Sequence, residues 1–246
     1  EENLGIEYLK SALTKNGYCV QIIDAWLNEY SVEEVYHMLL PKLEEILFVG
    51  ISTYMSNTAP TIELIKMLKG IDPNIKIVCG GFGPTFYPTD YLKEGSDYII
   101  RGEGEDAICE LANCLANNNE PLDVANIGLI HDGKIILNPV RSLNDNLDSF
   151  PFPSRDCMDV VLEKKSTVNM VTARGCSGNC EFCSVISFFR LSDGRIWRTR
   201  SIKNIVDEIE ILYKQGITHI KIVDDSFIDG TRDEKWCEEF ANEMEQ

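Results

Sequence analysis

Short apolar runs alternate with helical patterns along the first half of this 246-residue chain, and that alternation constrains its fold more than any other feature. The strand-length runs lie at residues 18–23, 46–51, 75–79 and 98–100. Between them, apolar residues recur with the period of amphipathic helices. Strands and helices in this order form a doubly wound, mostly parallel sheet, so the sequence predicts a Rossmann-like α/β domain.

A hairpin signal and a proline-containing segment separate this first region from a second one. An Asp-Gly pair lies between two apolar runs within residues 127–137, which predicts a β-hairpin. Residues 138–158 have no clear period and contain three prolines, so we interpret them as a linker. We therefore expect one domain over residues 1–137 and a second over residues 159–246, where strand and helix patterns resume.

Composition excludes several classes of function. The chain carries 23 basic and 40 acidic residues, and its net charge of −17 disfavours binding to nucleic acid or to anionic membranes. It holds no apolar run of about 18 residues and no signal-peptide pattern, so we expect a cytoplasmic protein without a membrane partner. Its nine cysteines, an odd number, argue against a disulfide framework and favour reduced thiols.

Three of the cysteines give the strongest chemical signal in the sequence. Cys176, Cys180 and Cys183 follow directly after a predicted strand at residues 167–172. Thiolates are the usual ligands of iron–sulfur clusters, and three of them can hold three irons of a four-iron cubane while the fourth iron stays open. A zinc site is the alternative, but no histidine or fourth cysteine lies nearby in sequence to complete it. The spacing therefore predicts a [4Fe–4S] cluster.

This segment resembles the C-x3-C-x2-C signature of the radical S-adenosylmethionine superfamily, and the aromatic Phe182 fits that signature. The resemblance implies that the open iron binds the amine and carboxylate of S-adenosylmethionine, whose reductive cleavage gives a 5′-deoxyadenosyl radical. It also implies a (β/α)6 partial TIM barrel whose first strand precedes the loop. We count two barrel strands before Gln246, so we expect residues 159–246 to be the N-terminal part of a truncated barrel.

Four charged residues near this loop are further candidates for cofactor binding. Asp224 and Asp225 follow the predicted strand at residues 217–223, at the end where parallel barrels place their active-site residues. Either carboxylate is expected to accept the amine of S-adenosylmethionine, as the resemblance also implies; an acidic helix N-terminus is the structural alternative. Arg198 and Arg200 lie in a segment that looks like an arginine-rich segment of the cobalamin-binding branch of the superfamily. Such an arginine pairs with a cofactor carboxylate, pairs with a structural acid, or is solvated.

The first half of the chain resembles the cobalamin-binding domain of that same branch. The matching segments, in the family's order, are residues 3–9, 51–54, 80–85, 102–105 and 147–153. In such a sheet the nucleotide tail of cobalamin enters between the carboxyl ends of the strands, where a hydroxyl bonds its base and a glycine pair leaves it room. The expected contacts are Ser52, Thr53, Gly80, Gly81, Gly102 and Glu103.

The sequence departs from the family pattern in two ways. The Asp-x-His-x-x-Gly motif, whose histidine ligates cobalt in some cobalamin enzymes, is absent, so cobalamin would lack a ligand from that motif. A sheet of this class is also expected to start with a strand before Leu4, and no such strand is present in the sequence. We therefore expect the chain to be an excerpt of a longer protein.

These features predict a cobalamin-dependent radical enzyme, best explained as a methyltransferase. S-adenosylmethionine would then supply both the methyl group for cobalamin and the radical. The alternative is a radical dehydratase, epimerase or cyclase whose B12-type domain takes no part in methyl transfer, whereas the cluster loop argues against a non-enzymatic cobalamin carrier. The expected partners are a small-molecule or peptide substrate and an external electron donor of the flavodoxin or ferredoxin type. No catalytic residue besides the cofactor contacts is identified.

Overall fold

The structure is a computed structural model that describes residues 2–165 and 167–245. These residues fold into two compact units whose boundary in the sequence lies between Arg141 and Ser142. We call residues 12–141 the sheet unit. Residues 2–11 and the described residues from 142 onward form the other, which we call the cysteine-loop unit.

Up to residue 141 the chain forms helices and strands in the predicted order, except that the strand predicted at residues 18–23 is absent and additional short helices are present. The elements are α1 (Leu4–Lys15), α2 (Ala25–Asn28), α3 (Val32–Leu39), β1 (Val49–Ser52), α4 (Thr58–Ile71), β2 (Ile77–Gly80), α5 (Phe82–Phe86), α6 (Pro88–Lys93), β3 (Tyr98–Ile100), α7 (Glu105–Ala116), β4 (Ile127–His131) and β5 (Lys134–Leu137). Helix α1 is divided, because its residues up to Ser11 cluster with the cysteine-loop unit.

The sheet unit contains one five-stranded mixed sheet in the order β1-β2-β3-β4-β5. Strands β1, β2 and β3 are parallel, and Ile51 lies opposite Cys79 in the register of the first pair. Strands β4 and β5 are antiparallel and form the predicted hairpin. Asp132 and Gly133 at its turn both have positive φ angles, 49° and 71°, as a two-residue type I′ turn requires. The sheet is thus rich in parallel strands but not wholly parallel.

Residues 18–23 form no strand in the described structure, which corrects the prediction made from their apolar pattern. A strand is defined by the neighbour that accepts and donates its backbone hydrogen bonds, and burial of apolar side chains alone does not supply one. Among the described residues, β1 pairs with β2 on one side and is an edge strand of the sheet. Segment 18–23 therefore contributes side chains to the unit without extending its ladder.

The core of the sheet unit is apolar. Helix α4 places Leu64, Ile65 and Leu68 on one face, where they pack with Ile77 of β2 and Ile99 of β3. Full burial of each such side chain contributes roughly 1.5–3 kcal/mol to stability, so these five side chains anchor the helix to the sheet. Among the described helices of both units, none combines the length and apolar character needed to cross a membrane.

The second part of the chain supplies most of the cysteine-loop unit. Its elements are α8 (Met158–Glu163), β6 (Val168–Met170), β7 (Ala173–Arg174), α9 (Ser184–Phe189), β8 (Arg198–Thr199), α10 (Ile202–Lys214), β9 (Ile220–Ile222) and α11 (Glu234–Met244). Strands β6 and β9 are parallel neighbours, while β7 and β8 form a short antiparallel pair. Helix α10 begins where the Ser201 side chain accepts a hydrogen bond from Asn204 N, as the sequence predicts for its cap.

Most of the predicted linker packs as part of the cysteine-loop unit. Leu143, Leu147 and Cys157 are buried, and Leu143 N donates to the carbonyl of Asp193 over 2.8 Å. The Ser201 N–H is held by the Asp148 carboxylate at 2.9 Å. The prolines of this segment interrupt regular structure without leaving it unpacked, because its leucines supply the apolar surface to be buried.

Candidate functional site

The cysteine loop starts directly after β7 and is shaped by two glycines. Gly175 has a φ of +83°, and a Cβ at this position would lie 2.1 Å from the Ile196 carbonyl oxygen. Only glycine fits there, so the chain turns sharply just before Cys176. Gly178 N then donates a hydrogen bond to Cys176 Sγ over 3.3 Å. Such N–H···S bonds stabilise a thiolate and are one of the means by which proteins tune iron–sulfur clusters.

All three predicted cluster ligands are free thiols that solvent can reach. Cys176 and Cys183 are half-buried, and Cys180 is exposed. No three His, Cys, Asp or Glu side chains among residues 2–165 and 167–245 converge on a point that would hold a single metal ion. A cubane makes a weaker demand, because each cysteine binds a different iron at a separate corner. Soft thiolate donors in one accessible loop therefore fit a [4Fe–4S] cluster and fit a closed zinc site poorly.

Phe182, the aromatic between the last two cysteines, lies almost fully in solvent. Its relative exposure is 93%, the highest among the large hydrophobic residues exposed in the described structure. An apolar ring gains nothing from that position in the chain's own packing. It is available to contact a ligand at the loop, and no described contact gives it another role.

The two aspartates after β9 have different environments, and the structure distinguishes them. The Asp224 side chain is fully buried, accepts hydrogen bonds from Thr172 N at 2.6 Å and from the Thr172 hydroxyl, and pairs with Arg232 at 3.3 Å. This corrects the expectation that either carboxylate is available, because Asp224 is taken up by these structural contacts. Asp225 is exposed, and its Oδ2 accepts Gly175 N at 2.8 Å.

Asp225 is therefore the carboxylate that remains next to the cysteine loop. Burial of part of its carboxyl group raises the pKa of Asp225 above its ordinary value, while the Gly175 N–H acts in the opposite direction. One oxygen is occupied by the loop backbone, and the residue is open enough on its other side to meet a cationic group. The arrangement ties the orientation of Asp225 to the start of the loop.

Arg232 holds this region together, and the sequence analysis did not identify it. Its buried guanidinium donates to the Thr172 carbonyl at 2.9 Å, to the Thr199 hydroxyl at 2.7 Å and to the Phe227 carbonyl at 3.0 Å, in addition to Asp224. The Trp236 ring lies 4.3 Å from it. A single arginine thus links the ends of β6 and β9 with β8 and α11. No local motif marks Arg232 in the sequence, because the fold brings together the aromatic rings that surround its guanidinium.

Arg198 and Arg200 are both buried and belong to the framework of the unit. Arg200 pairs with Glu208, and donates to the Val171 carbonyl at 2.8 Å and to Asn204 Oδ1 at 2.6 Å. Arg198 donates to the Asn144 carbonyl at 3.0 Å. Of the alternatives that the sequence left open for Arg200, the structure selects the structural acid, because its partners Glu208 and Asn204 lie on the following helix α10 and Val171 lies in the segment after β6.

The carboxyl ends of β1, β2 and β3 form one edge of the sheet unit, because parallel strands end on the same side. Thr53 is fully buried there; its N–H donates to the Gly80 carbonyl at 2.8 Å, and its hydroxyl lies 3.2 Å from that of Thr61. This corrects the expectation that either hydroxyl can meet a ligand, since Thr53 serves the fold. Ser52, half-buried at the end of β1, is the hydroxyl that remains at this edge.

The two neighbouring glycines at this edge have different requirements. Gly81 has a φ of +95°, and a Cβ there would lie 2.7 Å from the Thr53 carbonyl oxygen, so the fold itself demands glycine. At Gly80 a Cβ would meet nothing closer than 3.8 Å, which is ordinary van der Waals contact. The missing side chain of Gly80 therefore leaves space that packing does not need.

The loop after β3 contains Gly102 and Glu103, which the sequence predicts as cobalamin contacts, and the backbone of both residues is hydrogen-bonded within the sheet unit. Gly102 is buried, and its N–H donates to the Thr85 hydroxyl at 3.1 Å. The Glu103 carbonyl accepts Asn126 Nδ2 at 3.2 Å, and the residue is half-buried. A hydrogen bond to Thr85 and one from Asn126 thus fix the backbone of this loop.

An aromatic pair that the sequence analysis missed stands at the same edge. Tyr54 and Phe82 stack with their ring centroids 5.8 Å apart and an interplanar angle of 13°, and Tyr54 is 53% exposed. Tyr54 lies in the loop after β1, and Phe82 is the first residue of helix α5 after β2, so the two rings meet only in the folded sheet. They add an aromatic pair to the carboxyl edge of these strands, close in sequence to Ser52 and Gly80.

The chain is similar in sequence and in fold to several known proteins. Residues 1–112 match the model of the B12 binding domain family. An uncharacterized methyltransferase of Pyrococcus horikoshii is 31% identical over 230 residues, which cover 91% of this chain and 49% of that protein. The anaerobic magnesium-protoporphyrin IX monomethyl ester cyclase of Rubrivivax gelatinosus is 29% identical, over 85% of this chain and 39% of that protein. The chain spans half or less of the length of these relatives.

The fold also matches a solved structure. The cobalamin-dependent S-adenosylmethionine radical enzyme OxsB, with aqua-cobalamin and S-adenosylmethionine bound, superposes with a TM-score of 0.80 at 21% identity, over 94% of this chain and 32% of that one. At this identity the likeness concerns the fold alone. Two conclusions follow: residues 1–112 match the B12 binding domain family, and the chain has the fold of OxsB, a cobalamin-dependent S-adenosylmethionine radical enzyme.

Proposed function

We propose that the protein of which this chain is part is a cobalamin-dependent radical S-adenosylmethionine methyltransferase. The observation that carries the proposal is a loop of three accessible thiols in a chain whose first 112 residues match a B12 binding domain. The relative from Pyrococcus horikoshii, named a methyltransferase, supports the reaction class. When bound, the cluster with S-adenosylmethionine supplies a radical, and cobalamin supplies a carrier for the methyl group.

The residues of the cysteine-loop unit would then bind and orient two of these groups. Cys176, Cys180 and Cys183 supply three thiolates, and Asp225 accepts the cationic amine of S-adenosylmethionine. Phe182 offers an exposed ring that covers apolar parts of the same ligand. Arg200, Arg198 and Asp224 keep the strand ends in place behind them, which their buried contacts support.

The parallel pair β6 and β9, joined through helix α10, supports the further proposal that this unit begins a (β/α)6 partial barrel. In such a barrel consecutive parallel strands are neighbours and are connected by a helix. Residues Thr172 and Asp224 stand at the carboxyl ends of these two strands, and the cysteine loop follows on the same side through Arg174. This is the side on which parallel barrels bind substrates.

For the sheet unit we propose that cobalamin is bound at the carboxyl edge of β1, β2 and β3. Ser52 donates or accepts a hydrogen bond at the nucleotide tail, and the space beside Gly80 admits its close approach. Gly81, Thr53 and Gly102 shape the edge through their own backbone contacts. The Tyr54 and Phe82 rings exclude water from one side of the bound group.

The second candidate function is a radical cyclase, dehydratase or epimerase that does not use cobalamin for methyl transfer. The relative in Rubrivivax gelatinosus, a cyclase, supports it. Both candidates share the cluster and its radical, so the cysteine-loop unit does not distinguish them. They differ in whether the edge at Ser52 and Gly80 takes a corrinoid that is methylated.

We further propose a small-molecule or peptide substrate and an electron donor of the flavodoxin or ferredoxin type, since reductive cleavage of S-adenosylmethionine consumes an electron. An oxygen-sensitive cluster also fits the reducing cytoplasm expected from the cysteine content.

The test is anaerobic reconstitution of the full-length protein with iron, sulfide and hydroxocobalamin, followed by incubation with S-adenosylmethionine labelled in its methyl group and with dithionite as the low-potential reductant. About four irons per chain, one corrinoid per chain and label in methylcobalamin support the methyltransferase. Four irons with a radical-derived 5′-deoxyadenosine but no corrinoid support the second candidate. A protein that takes up neither iron nor corrinoid would refute both.

A further inference from the structure

Two aspartates of one short segment hold the beginning of the cysteine loop. Asp225 Oδ2 accepts Gly175 N at 2.8 Å, and Asp229 Oδ2 accepts Ser177 N at 2.9 Å. The Ser177 hydroxyl donates to the other oxygen of Asp229. Cys176 therefore lies between two residues whose backbone N–H groups are both fixed from outside the loop.

The segment that carries these aspartates is itself rigidly anchored. Arg232 donates to the Phe227 carbonyl at 3.0 Å, and Trp197 Nε1 donates to the Ser226 carbonyl at 2.9 Å. At Gly230 a Cβ would lie 2.4 Å from the Trp197 ring, so the backbone approaches the indole as closely as glycine permits. Residues 224–232, here called the bracket, are thus held in position by the buried Arg232 and Trp197 side chains.

The contacts of the Asp229 carboxylate are with the cysteine loop and with its own segment. It accepts hydrogen bonds from Ser177 and, at 2.7 Å, from the adjacent Gly230 N, and it is also bonded to the Ser226 side chain; no cation is among its described hydrogen bonds and ion pairs. The hydrogen bonds from Ser177 hold the pKa of Asp229 below its ordinary value, because they favour the ionised carboxylate. A charge-assisted bond to an exposed backbone N–H adds little to global stability but restricts the local conformation strongly.

We propose that Asp229 is a positioning residue for Cys176: through Ser177 it orders the loop so that the thiol faces the cluster before iron is bound. The proposal rests on the proposed cluster. A flexible loop of three cysteines loses its conformational entropy when the cluster assembles. A loop held by the bracket has lost part of that entropy during folding, so cluster assembly costs less free energy. The negative charge of Asp229 beside Cys176 also favours the oxidised cluster, because net charge near a cluster helps to set its potential.

The test compares Asp229→Ala, which removes charge and acceptor, with Asp229→Asn, which keeps an acceptor for Ser177 N. The matched control is Asp207→Asn, since Asp207 lies on the same unit and pairs with Lys203 at the surface of α10. Iron uptake during anaerobic reconstitution, the electron paramagnetic resonance spectrum of the reduced cluster and its midpoint potential are measured in the full-length protein. Alkylation of Cys176 in the iron-free protein is followed by peptide mass spectrometry.

Asp229→Ala is expected to take up iron several-fold more slowly and to expose Cys176 to faster alkylation. Asp229→Asn is expected to restore uptake but to shift the midpoint potential to a more positive value than in the Asp207→Asn control. Uptake, spectrum and alkylation in Asp229→Ala that equal those of the control would overturn the proposal. If Asp229→Ala does not fold, Ser177→Ala, which removes the hydroxyl that donates to Asp229, decides by the same two measurements: iron uptake and Cys176 alkylation equal to those of the control overturn the positioning role, and slower uptake with faster alkylation supports it.

The alkylation measurement keeps this inference separate from the proposed function. It needs no cluster, so a wild-type protein that binds no iron would refute the cluster while the Cys176 reactivities still test the bracket. Faster alkylation in Asp229→Ala than in Asp207→Asn would then still show that Asp229 orders the loop. Equal reactivity would refute that role independently.

Discussion

The two units of this chain bury different kinds of side chain. In the sheet unit the fully buried large residues are apolar, with Ile65, Leu68, Ile77 and Ile99 at 0% exposure. The sheet unit also buries two charged residues, Asp24 and Glu105. The cysteine-loop unit has buried apolar side chains as well, such as Met170, Ile205 and Leu212, but it buries a larger set of charged ones: Glu2, Glu7, Arg198, Arg200, Glu208 and Arg232. Several of these form a chain of ion pairs.

Arg155 stands in the middle of that chain of ion pairs. It donates to Glu2 Oε1 at 2.6 Å and to Glu208 Oε1 at 2.7 Å, and Glu208 pairs in turn with Arg200. Removing charges from water costs free energy that ion pairing only partly returns, so such a network adds little net stability. Each member still requires its partners in one geometry. The apolar core of the sheet unit thus serves its stability, whereas the ion pairs of the cysteine-loop unit serve to hold side chains in one geometry around the loop.

The largest expected effect concerns the three thiols of the cysteine loop, which solvent can reach. Changing Cys176, Cys180 or Cys183 to Ala is expected to abolish cluster absorbance and to lower bound iron from about four per chain to near zero. Cys237→Ala, at an exposed cysteine of α11, is the matched control and should load normally. Full iron loading in all three loop variants would remove the cluster from this site.

Arg232→Met should have the next largest effect, because it leaves the buried carboxylate of Asp224 without its cation. The expected loss is about 3–5 kcal/mol in the free energy of unfolding of the cysteine-loop unit, measured by urea denaturation. The double variant with Asp224→Asn removes the stranded charge and should regain part of that loss. A single variant as stable as wild type would show that this unit tolerates unpaired buried charge and would undo the contrast.

A third prediction uses Glu7, a carboxyl group buried on α1. Burial first, and then the neighbouring Glu2, raise the pKa of Glu7 from 4.5 to about 7. Below pH 4.5 both folded and unfolded chains carry the proton; between 4.5 and 7 only the folded chain does, so stability falls as the pH rises through this window. Above pH 7 the full penalty, about 3 kcal/mol, is present.

Glu7→Gln should therefore be more stable than wild type at pH 8, and the gain should shrink toward pH 5. Urea denaturation at pH 5, 6, 7 and 8 measures this difference. Glu34→Gln, on a fully exposed carboxylate of α3, serves as the control for the loss of one negative charge in the other unit. A pH-independent difference between Glu7→Gln and wild type would mean that Glu7 titrates as an ordinary glutamate.

The smallest expected effect separates two neighbouring glycines of the sheet unit. Gly81→Ala should cost about 1–3 kcal/mol, because alanine is strained at this positive φ and meets the Thr53 carbonyl. Gly80→Ala should change stability by less than about 1 kcal/mol, since its Cβ has room. Corrinoid titration of the folded Gly80→Ala protein then tests the proposed edge. Wild-type corrinoid affinity in that variant would count against a tail lying beside Gly80.

Local patterns predicted much of this architecture. Alternating apolar periods are read over a few residues, so they located helix α10 with its Ser201 cap, strand β3 at its observed bounds and the hairpin at Asp132 and Gly133. They failed for residues 18–23, because strand formation depends on a neighbour that no local pattern records. They also treated residues 138–158 as a linker, although those from Ser142 onward belong to the compact cysteine-loop unit.

At the site, residue type and order predict the chemistry, because the spacing of the three thiols and the glycines around them are local features of the chain. Which polar groups are still available depends instead on the folded structure. Asp224 and Thr53 are consumed by buried hydrogen bonds while Asp225 and Ser52 remain accessible. Availability depends on partners distant in the chain, such as Arg232 for Asp224 and Thr61 for Thr53, and a buried polar group takes such partners because leaving it unpaired costs free energy.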